Sequence, residues 1–520
     1  MSSPRRSWTG EEGIALILAM FMVLVVSLLG AALVGTGRSE TLSSLNYKSL
    51  SQARYAAESG LHSAANYLIF NYVPPGTDAG DPIAGIYDTS VSPVTYNGRP
   101  VILSTTVAES NYPIAAKKNA FADAAHGTLV MGTNHPVYTA TAKLISMRQF
   151  TDAYANALVT VQSWEITGIG NLNGAGNANV EVTAIVEKQP VPVFRYAAFS
   201  TYPGCDSMQF GGQHSETNSY NSTGALGADG KPVQSASGGN VGSNGNLSLN
   251  GGATINGKLS TPRSGVGDCT ANNVTAETVI GNGSQVTGDG CNPQPDCALV
   301  PLPQKVVMPD PAVIAPMPPQ GPVDMKKTSD CTGFTYCSVS ADGQGLTFTP
   351  TTPSTVVSLA DVTINAGAVI HLNAGIYEWN SLTANGNGEI RVDSGPVIIR
   401  IAGKDQATPI DMSGGVITNT TYNPMNLQFI FAPDDADKTA IDAGTLTKDI
   451  KLAGGAGSSA VVYAPKADGT LVGGADLYGS VIFGRIKDMG GTRVHYDRNL
   501  QRTGLTSGNP TMTSFNWSSY

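Results

Sequence analysis

Carboxylate, arginine and histidine side chains in the second half of the chain are the residues whose types could carry out chemistry. Carboxylates that lie close together, alone or with calcium and a basic residue, can cleave polysaccharides. Here they come one per predicted strand or turn, and turn aspartates usually bond to the local backbone. We therefore predict structural roles, and no catalytic residue, among the candidates Asp361, Glu378, Asp393, Asp411, Arg391 and Arg400.

Two histidines lie within strand-like segments. His371, in VIHLN, alternates with apolar residues and is expected to pack within a strand. His495 and Asp497, in RVHYD, are two residues apart and could pair on one face of a strand. No matched nucleophile accompanies them, so we expect a structural hydrogen bond or a polar end cap there instead of a catalytic dyad.

Other binding chemistries find little support in the sequence. The acidic run Asp434, Asp435 and Asp437 could hold calcium, but it lacks the spacing and the closing glutamate of an EF-hand loop, so a solvated turn is expected. There is no G-x-x-x-x-G-K-S/T segment for ATP, and the net charge of -9 argues against a nucleic-acid partner. No cofactor is expected, whereas rows of Asn and Thr on a flat sheet face could bind a glycan or another surface.

The cysteines predict disulfides. Their number is even, and none forms the C-x-x-C pair that is typical of zinc and thioredoxin-type sites. Disulfides indicate an oxidising compartment. The spacing leaves the connectivity open, with the local pairs Cys291–Cys297 and Cys331–Cys337 as a guess. The six candidates are Cys205, Cys269, Cys291, Cys297, Cys331 and Cys337.

A long helix near the N-terminus is the first element that must position these parts. Ile14 to Val34 form a run of 21 residues without a charge, which is enough to cross a hydrocarbon core of about 30 Å. No proline occurs between Gly13 and Pro74. One helix of about 57 residues, roughly 85 Å long, is therefore predicted. Small or apolar residues recur every three or four positions on one face of its second half, namely Leu42, Leu45, Ser49, Ala53, Ala56, Gly60, Ala64 and Leu68.

A polar leader, MSSPRRSWTGEEG, precedes the apolar run. Arg5 and Arg6 mark the side that is expected to stay cytoplasmic. The small residue at the boundary is Gly13, before the apolar run, whereas a secretory signal would place its cleavage site after it. Cleavage after Gly13 would remove the leader and keep the anchor.

The segment EEGIALILAMFMVLVVSLLGAALV, followed by SQARYAAESGL, resembles the N-terminal region of PilX-type minor pilins over about residues 10 to 70. The resemblance implies that a prepilin peptidase cuts after Gly13, that Ile14 becomes the mature N-terminus and that the helix enters the core of a pilus. Major pilins carry a glutamate at the fifth mature position, where this chain has Leu18. That departure implies a minor or initiating subunit. A single-pass anchor that is never processed is the alternative.

Strand signals dominate after Pro74. Glycine is abundant, at 60 residues, and charged residues make up only 13%, about half the usual share. The segments Val137–Met147, Leu158–Gly168 and Ala178–Glu187 predict an antiparallel sheet packed on the second half of the helix. GIGNLNGAGNAN, between the last two strands, is typical of a hairpin loop.

The chain from Tyr196 to Leu500 consists of short apolar alternations separated by N-G, G-G or A-G turns. Stacked coils would give such strands a shared core, so we predict a parallel β-helix-like solenoid. A β-sandwich is the alternative because the repeat length is irregular. Residues 300–323 contain eight prolines and are expected to form an extended connector instead of a strand.

A second resemblance lies in this region. The stretches YAAFSTYPGC, GGNVGSNGNLSLNGG and GSVIFGRIKDMGGTRVHYDRNL resemble an uncharacterised C-terminal domain that accompanies PilX-type N-termini. This resemblance implies an architecture and an association with pili, without an activity.

The predicted fold is α+β and mainly β. Its expected parts are a prepilin-type leader at 1–13, a transmembrane and amphipathic helix at 14–73, a small pilin-like α/β sheet domain at 74–190, a β-helix-like domain at 191–500 interrupted by the connector, and a tail at 501–520.

The predicted function is that of a structural minor pilin or pseudopilin, not an enzyme, in a type IV pilus or type II secretion-like filament. It would act in assembly initiation, tip display or adhesion. The alternative is a membrane-anchored β-helix enzyme or binding protein that acts on extracellular polysaccharide. The expected location is the inner membrane, crossed once, with a periplasmic or extracellular C-terminal part. Expected partners are the membrane, other pilins and assembly proteins, prepilin peptidase, and a glycan or surface ligand.

Overall fold

The computed structural model describes residues 12–519 apart from 78–79, 174–176, 263–277, 282, 292–295, 303, 454–457, 475, 489–490 and 509. The chain divides into two compact units. Unit 1 comprises Met1–Phe150, Val159–Gln189 and Pro510–Tyr520, and unit 2 comprises Thr151–Leu158 and Pro190–Asn509. Residues 1–11 of the predicted leader lie outside the described residues.

Helices are few in the part of the chain that is described. The α-helices are α1 (Glu12–Asn66), α2 (Ala115–Ala124) and α3 (Asp435–Asp442). A π-helical turn, Tyr67–Asn71, continues α1. Short 3-10 turns are found at Val107–Glu109, Gly288–Gly290, Asp296–Ala298, Pro424–Asn426 and Arg498–Arg502.

Strands make up most of the remainder. Those up to the end of the first long sheet are β1 (Tyr87–Asp88), β2 (Thr95–Tyr96), β3 (Arg99–Pro100), β4 (Ile102–Ser104), β5 (Gly127–Thr128), β6 (Val137–Thr151), β7 (Leu158–Leu172) and β8 (Ala178–Glu187). The following ones are β9 (Pro190–Pro192), β10 (Ala198–Ser200), β11 (Met208–Phe210), β12 (Glu216–Tyr220), β13 (Val241–Ser243), β14 (Leu247–Leu249), β15 (Thr254–Ile255), β16 (Leu259–Pro262), β17 (Thr278–Ile280), β18 (Gln285–Val286), β19 (Leu299–Leu302), β20 (Pro322–Met325), β21 (Cys337–Val339), β22 (Gly345–Phe348), β23 (Val356–Ile364) and β24 (Val369–Leu372). The last are β25 (Gly375–Ala384), β26 (Gly388–Val392), β27 (Val397–Ile401), β28 (Ile410–Met412), β29 (Gly415–Thr418), β30 (Leu427–Phe431), β31 (Asp449–Ala453), β32 (Ser458–Ala464), β33 (Asp468–Val472), β34 (Asp476–Phe483), β35 (Ile486–Asp488), β36 (Arg493–Asp497), β37 (Leu505–Ser507) and β38 (Thr511–Ser519).

The long N-terminal helix is confirmed, and α1 with its π-helical turn ends before Pro74. The predicted apolar face is buried over its C-terminal part, from Ala53 to Leu68. Leu42 and Leu45, on the same predicted face, are 53% and 52% exposed, because the sheet of unit 1 covers only the last part of α1.

The sheet of unit 1 contains the three predicted strands as β6, β7 and β8, and its order is β38-β8-β7-β6-β4, with β5 also paired to β6. The prediction of a tail over residues 501–520 is wrong. Strand β38 pairs antiparallel with β8, and β37 pairs antiparallel with β9 in unit 2. In β38 the apolar residues Met512, Phe515 and Trp517 are separated by a bulge between Thr513 and Phe515, which interrupts the period of two that would mark a strand.

The backbones of α1 and β7 approach each other closely. A Cβ atom added at Gly170 would overlap the carbonyl oxygen of Ala53, and one added at Gly168 would overlap that of Ala57. Ala53 and Ala57 are themselves fully buried. Only glycine on the strand and small residues on the helix allow backbones to come this close. The sequence prediction ended the strand at Gly168 and placed Gly170 in a hairpin loop, whereas β7 continues to Leu172.

A buried ion pair fixes the segment that follows the helix. Asp81 is fully buried and accepts hydrogen bonds from the hydroxyls of Tyr87 and Tyr112, each at 2.7 Å. Lys117 Nζ donates to the same carboxylate at 2.7 Å and to the carbonyl oxygen of Val73 at 2.8 Å. The carboxylate is thus compensated by a cation and two hydroxyls, as burial of a charge requires.

Unit 2 is built from parallel strand pairs. Among the described strands β10 to β36, each pairing except that of β21 with β22 is parallel, and in the first part each strand pairs with the third one after it. This places Ala198, Val241 and Leu259 in register, all of them buried. The apolar core of unit 2 is formed by such registered rows.

The proline-rich segment has strands at both ends, β19 and β20, so the prediction of a connector without strands is wrong for its ends. The strap, defined as residues 304–321, contains no strand. Side chains of unit 2 bind its backbone: Asn244 forms two hydrogen bonds with Val306, and Lys438 Nζ donates to the carbonyl oxygen of Pro311 at 3.0 Å. Val306 uses both its amide and its carbonyl oxygen, whereas Pro311, which has no amide hydrogen, can only accept.

We predict that Gly170→Ala destabilises unit 1 by about 1–3 kcal/mol, because the added methyl group must push α1 away from β7. Urea unfolding with hydrogen exchange read out on peptides from β6, β7 and β8 would measure the loss. Gly37→Ala is the control, since a Cβ there meets no atom within 4 Å. Equal stability of the two variants would contradict the close contact.

Asp81→Asn is expected to cost about 3–5 kcal/mol, because it leaves the ammonium group of Lys117 buried beside a neutral amide. Urea unfolding with the same hydrogen-exchange readout would measure this loss of stability. The double variant Asp81→Asn/Lys117→Met should recover part of the loss. Glu165→Gln, which breaks the half-exposed Lys143–Glu165 pair, should cost less than about 1 kcal/mol, and a similar cost for both carboxylates would rule out the role given to Asp81.

Candidate functional site

The N-terminal half of α1 presents a continuous run of exposed apolar side chains. From Ile14 to Val34 the large apolar side chains are mostly more than half exposed, with Ile14 at 65% and Leu18 at 60%. The helical stretch Ile14–Asn71 has an 18-residue window of mean hydropathy 2.9 that is entirely unburied in the structure. By length and composition it can cross a membrane.

The predicted processing residues, Gly13 and Ile14, lie in the first turn of α1. Leu18 lies one turn further on, at the fifth position counted from Ile14. The cleavage prediction stays a prediction.

The candidate carboxylates of unit 2 have separate structural partners. Asp361 accepts from Asn380 Nδ2 at 2.7 Å, from Ser381 Oγ at 2.8 Å and from the backbone amide of Gly321 at 2.9 Å. It therefore holds the end of the strap against two strands. Nothing in this arrangement leaves the carboxylate free to act on a ligand.

Glu378 and Arg400 form an ion pair on the adjacent strands β25 and β27. Glu378 is only 7% exposed. The guanidinium group of Arg400 also donates to the carbonyl oxygen of Ala312 in the strap. This pair has a role in packing the strap.

His371 lies between two carboxylates. Its Nδ1 is 3.1 Å from both oxygens of Asp393, and its Nε2 is 3.2 Å from Asp342 Oδ2. Arg391 pairs with Glu389 and lies 3.7 Å from Asp342. The predicted strand position of His371 is confirmed by β24, but its bridge to Asp342 joins residues 29 positions apart and could not be found from spacing.

The remaining acidic candidates stabilise local backbone. Asp411 accepts from the amide and hydroxyl of Ser413. The acidic run was expected to form a solvated turn, and this is wrong: Asp434 caps the N-terminus of α3 by accepting from the amide of Asp437, and Asp437 pairs with Lys448 at 3.3 Å. In the described part of the chain, no group of three or more His, Cys, Asp or Glu residues is placed to hold a metal ion.

The possible pair of His495 and Asp497 is not formed. His495, 1% exposed, contacts Asn218 Oδ1 at 2.6 Å through Nδ1 and Asp476 Oδ1 at 3.1 Å through Nε2. Asp497 accepts from the backbone amides of Ser222 and Asn499. His495 and Asp497 therefore bind different partners and do not form a dyad. Parallel stacking of β12, β34 and β36 brings these partners together.

Two local disulfides are present in unit 2. Cys291 is bonded to Cys297, and Cys331 to Cys337, each with a sequence separation of 6. Cys205 is also disulfide-bonded, and Cys269 lies outside the described residues.

Acid should weaken unit 2 through Asp476. The hydrogen bond from His495, with the nearby Arg493 and Lys231, lowers the pKa of Asp476 to about 2 against the desolvation that opposes it. Because the folded pKa lies below the ordinary value of 3.8, the stabilisation is complete above pH 4 and is lost as the pH falls from about 4 to about 2.

We predict that Asp476→Asn loses about 2 kcal/mol at pH 7 and shows a flatter stability profile between pH 4 and pH 2. Urea unfolding of unit 2 at several pH values would measure both effects. The exposed Asp405→Asn serves as the control. An Asp476→Asn profile parallel to that of the original protein would exclude this ion-pair group as a source of acid sensitivity.

Comparisons with known proteins agree with both resemblances. Residues 12–62 match the family model described as PilX N-terminal, and residues 324–503 match a domain of unknown function, DUF7305. The second match includes GSVIFGRIKDMGGTRVHYDRNL, whereas the two earlier stretches lie outside it. No curated protein gives a significant match.

Among solved structures, the chain is similar to the competence-associated pilin ComZ from Thermus thermophilus. The identity is 13%, the TM-score is 0.22, and the match covers 91% of this chain and 98% of that chain. Residues 12–62 are therefore similar to the N-terminal segment of PilX proteins, and residues 324–503 are similar to a domain of unknown function.

Proposed function

We propose that this chain is a minor pilin related to type IV pili, that it is cut after Gly13 by prepilin peptidase, that α1 holds it in the inner membrane, and that it then enters a filament beside other pilins. The observation that carries the proposal is the division of α1 into two halves. One half is apolar and exposed, and the other is packed on the sheet of unit 1 through small residues. Such a helix can exchange lipid for the apolar helices of sister subunits without any change in unit 1.

Leu18 supports a minor or initiating position. Its side chain is apolar and exposed on α1, where a major pilin would present a carboxylate. A carboxylate in lipid is costly, so Leu18 lets the anchor insert more easily. The chain then has no charge at this position with which to neutralise the terminal amine of a neighbouring subunit. The proposed work of the protein is assembly initiation, tip display or adhesion, in a type IV pilus or in a type II secretion-like filament.

We further infer that unit 2 is a β-helix-like solenoid. Parallel pairing at intervals of three strands, and registered rows such as Ala198, Val241 and Leu259, support this reading over a sandwich of antiparallel sheets. A body of this size is tolerated best at the end of a filament. The disulfides fit an oxidising periplasmic or extracellular location.

The alternative of a polysaccharide-cleaving enzyme gains no support from the candidate carboxylates. Among the described residues Asp361, Glu378, Asp393 and Asp411 share no hydrogen-bond partner, and each is bound to neighbouring backbone or side chains. Hydrolysis would require two of them to face one bond.

The test is the size and the N-terminus of the protein in cells that contain prepilin peptidase. Gly13→Val should shift the protein from the mature to the full-length size, because a branched side chain replaces the small residue at the cleavage position. Mass spectrometry of the original protein should find Ile14 at its N-terminus, and the protein should co-purify with the filament. Gly10→Ala, the other glycine of the leader, is the matched control and should be processed normally.

A native protein that begins at Met1 and never co-purifies with a filament or its assembly machinery would contradict the proposal. Normal processing of Gly13→Val would reject the cleavage site.

A further inference from the structure

A cleft in unit 2 has no part in the proposed function. It lies between the strap, the chain that follows α3, and the ends of β10 and β34, and it encloses about 740 Å³. Sites for small ligands usually enclose about 300–1,000 Å³. The cleft is therefore large enough for a ligand of several rings.

Apolar groups line one side of the cleft. Tyr202 is 42% exposed and Val307, in the strap, is 71% exposed. Pro203 and Pro465 lie beside them. Large apolar side chains that stay exposed in a concave surface indicate a place for a partner.

The backbone on both sides of the cleft is fixed before any ligand arrives. The amide of Tyr202 donates to the carbonyl oxygen of Gly484 at 2.9 Å, and its carbonyl oxygen accepts from Ser207 Oγ at 2.6 Å. In the strap, Val306 forms two hydrogen bonds with Asn244, at 2.7 and 2.8 Å. A wall ordered in this way lowers the entropy cost of binding.

The charges in the cleft compensate one another. Arg485 lies over the ring of Tyr202 at 5.2 Å and pairs with Asp468 through two hydrogen bonds. The other two cations of the lining are also paired: Lys448 with Asp437, and Lys466 with Asp442 and Asp310. A charged ligand would have to break one of these pairs, and each broken pair would cost binding energy.

We propose that this cleft binds a neutral saccharide. The hydroxyl groups of a sugar can donate to the exposed carboxylates of Asp442 and Asp310, whose side chains are 58% and 47% exposed, while these stay paired with Lys466. The apolar C–H face of the sugar packs on Tyr202 and Val307. A biological use of this site rests on the proposed function, in which a filament displays unit 2 outward. Saccharide binding itself is a property of the isolated chain and does not depend on filament entry.

The experiment uses the full chain in detergent, with maltohexaose, cellohexaose and chitohexaose as probes in calorimetric and saturation-transfer titrations. At least one probe should bind the original protein. Tyr202→Ala should weaken it about tenfold, while Tyr202→Phe, which keeps the ring, should stay within about twofold. Tyr336→Ala is the matched control, because Tyr336 is equally exposed at 42% and is not part of the cleft.

Asp442→Ala should also weaken binding, and it decides the question if Tyr202→Ala does not fold. The proposal is overturned if no probe binds at millimolar concentration, or if Tyr202→Ala and Asp442→Ala bind as the original protein does. Binding of only a sulfated hexasaccharide or only of peptides would also overturn it, because the cleft would then recognise charge or a polypeptide. None of these results bears on cleavage after Gly13, which is measured in cells.

Discussion

The close packing of α1 against β7 is the constraint on which unit 1 depends. Gly168 and Gly170 leave no room for a side chain under the carbonyls of Ala57 and Ala53. The helix is therefore held at a backbone-to-backbone distance that only a few residue types permit. Its C-terminal part is packed into the unit, and its N-terminal part continues in the same helix, with its apolar side chains uncovered. One helix thus joins the sheet of unit 1 to an exposed apolar segment.

Unit 2 is stabilised in a different way from unit 1. Its short strands bury little surface each, so their stability comes from registered rows of buried residues along parallel pairs. Most of the charged side chains that could have suggested chemistry hold this arrangement together. Asp361 and Arg400 bind the strap, Asp434 caps α3, and His495 joins three strands through Asn218 and Asp476.

Sequence reasoning found the features whose signal is local and periodic. The apolar run, the helix to Asn71 and strands β6, β7 and β8 could all be predicted from spacing alone. Features formed by residues that are far apart in the sequence could not be predicted in this way. The Asp81–Lys117 pair lies in a region without periodicity, and the bridge from His371 to Asp342 depends on strand stacking. A bulge interrupts the alternation of β38, which pairs with a strand far away in the chain, β8. Gly168 and Gly170 carry the usual signal of a turn, and only the packed helix shows why a strand needs them.

The pairing of β38 with β8 has a consequence for how the protein is made. Residues 511–519 supply the outermost strand of the sheet on which α1 rests, although more than 300 residues of unit 2 separate them from β8 in the chain. If the chain is exported from its N-terminus, as the proposed function requires, the edge of β8 stays unpaired until residues 511–519 have emerged. A polypeptide that is released early would then expose that edge to proteases and to foreign strands. The sheet that holds α1 would be completed only after β38 has emerged.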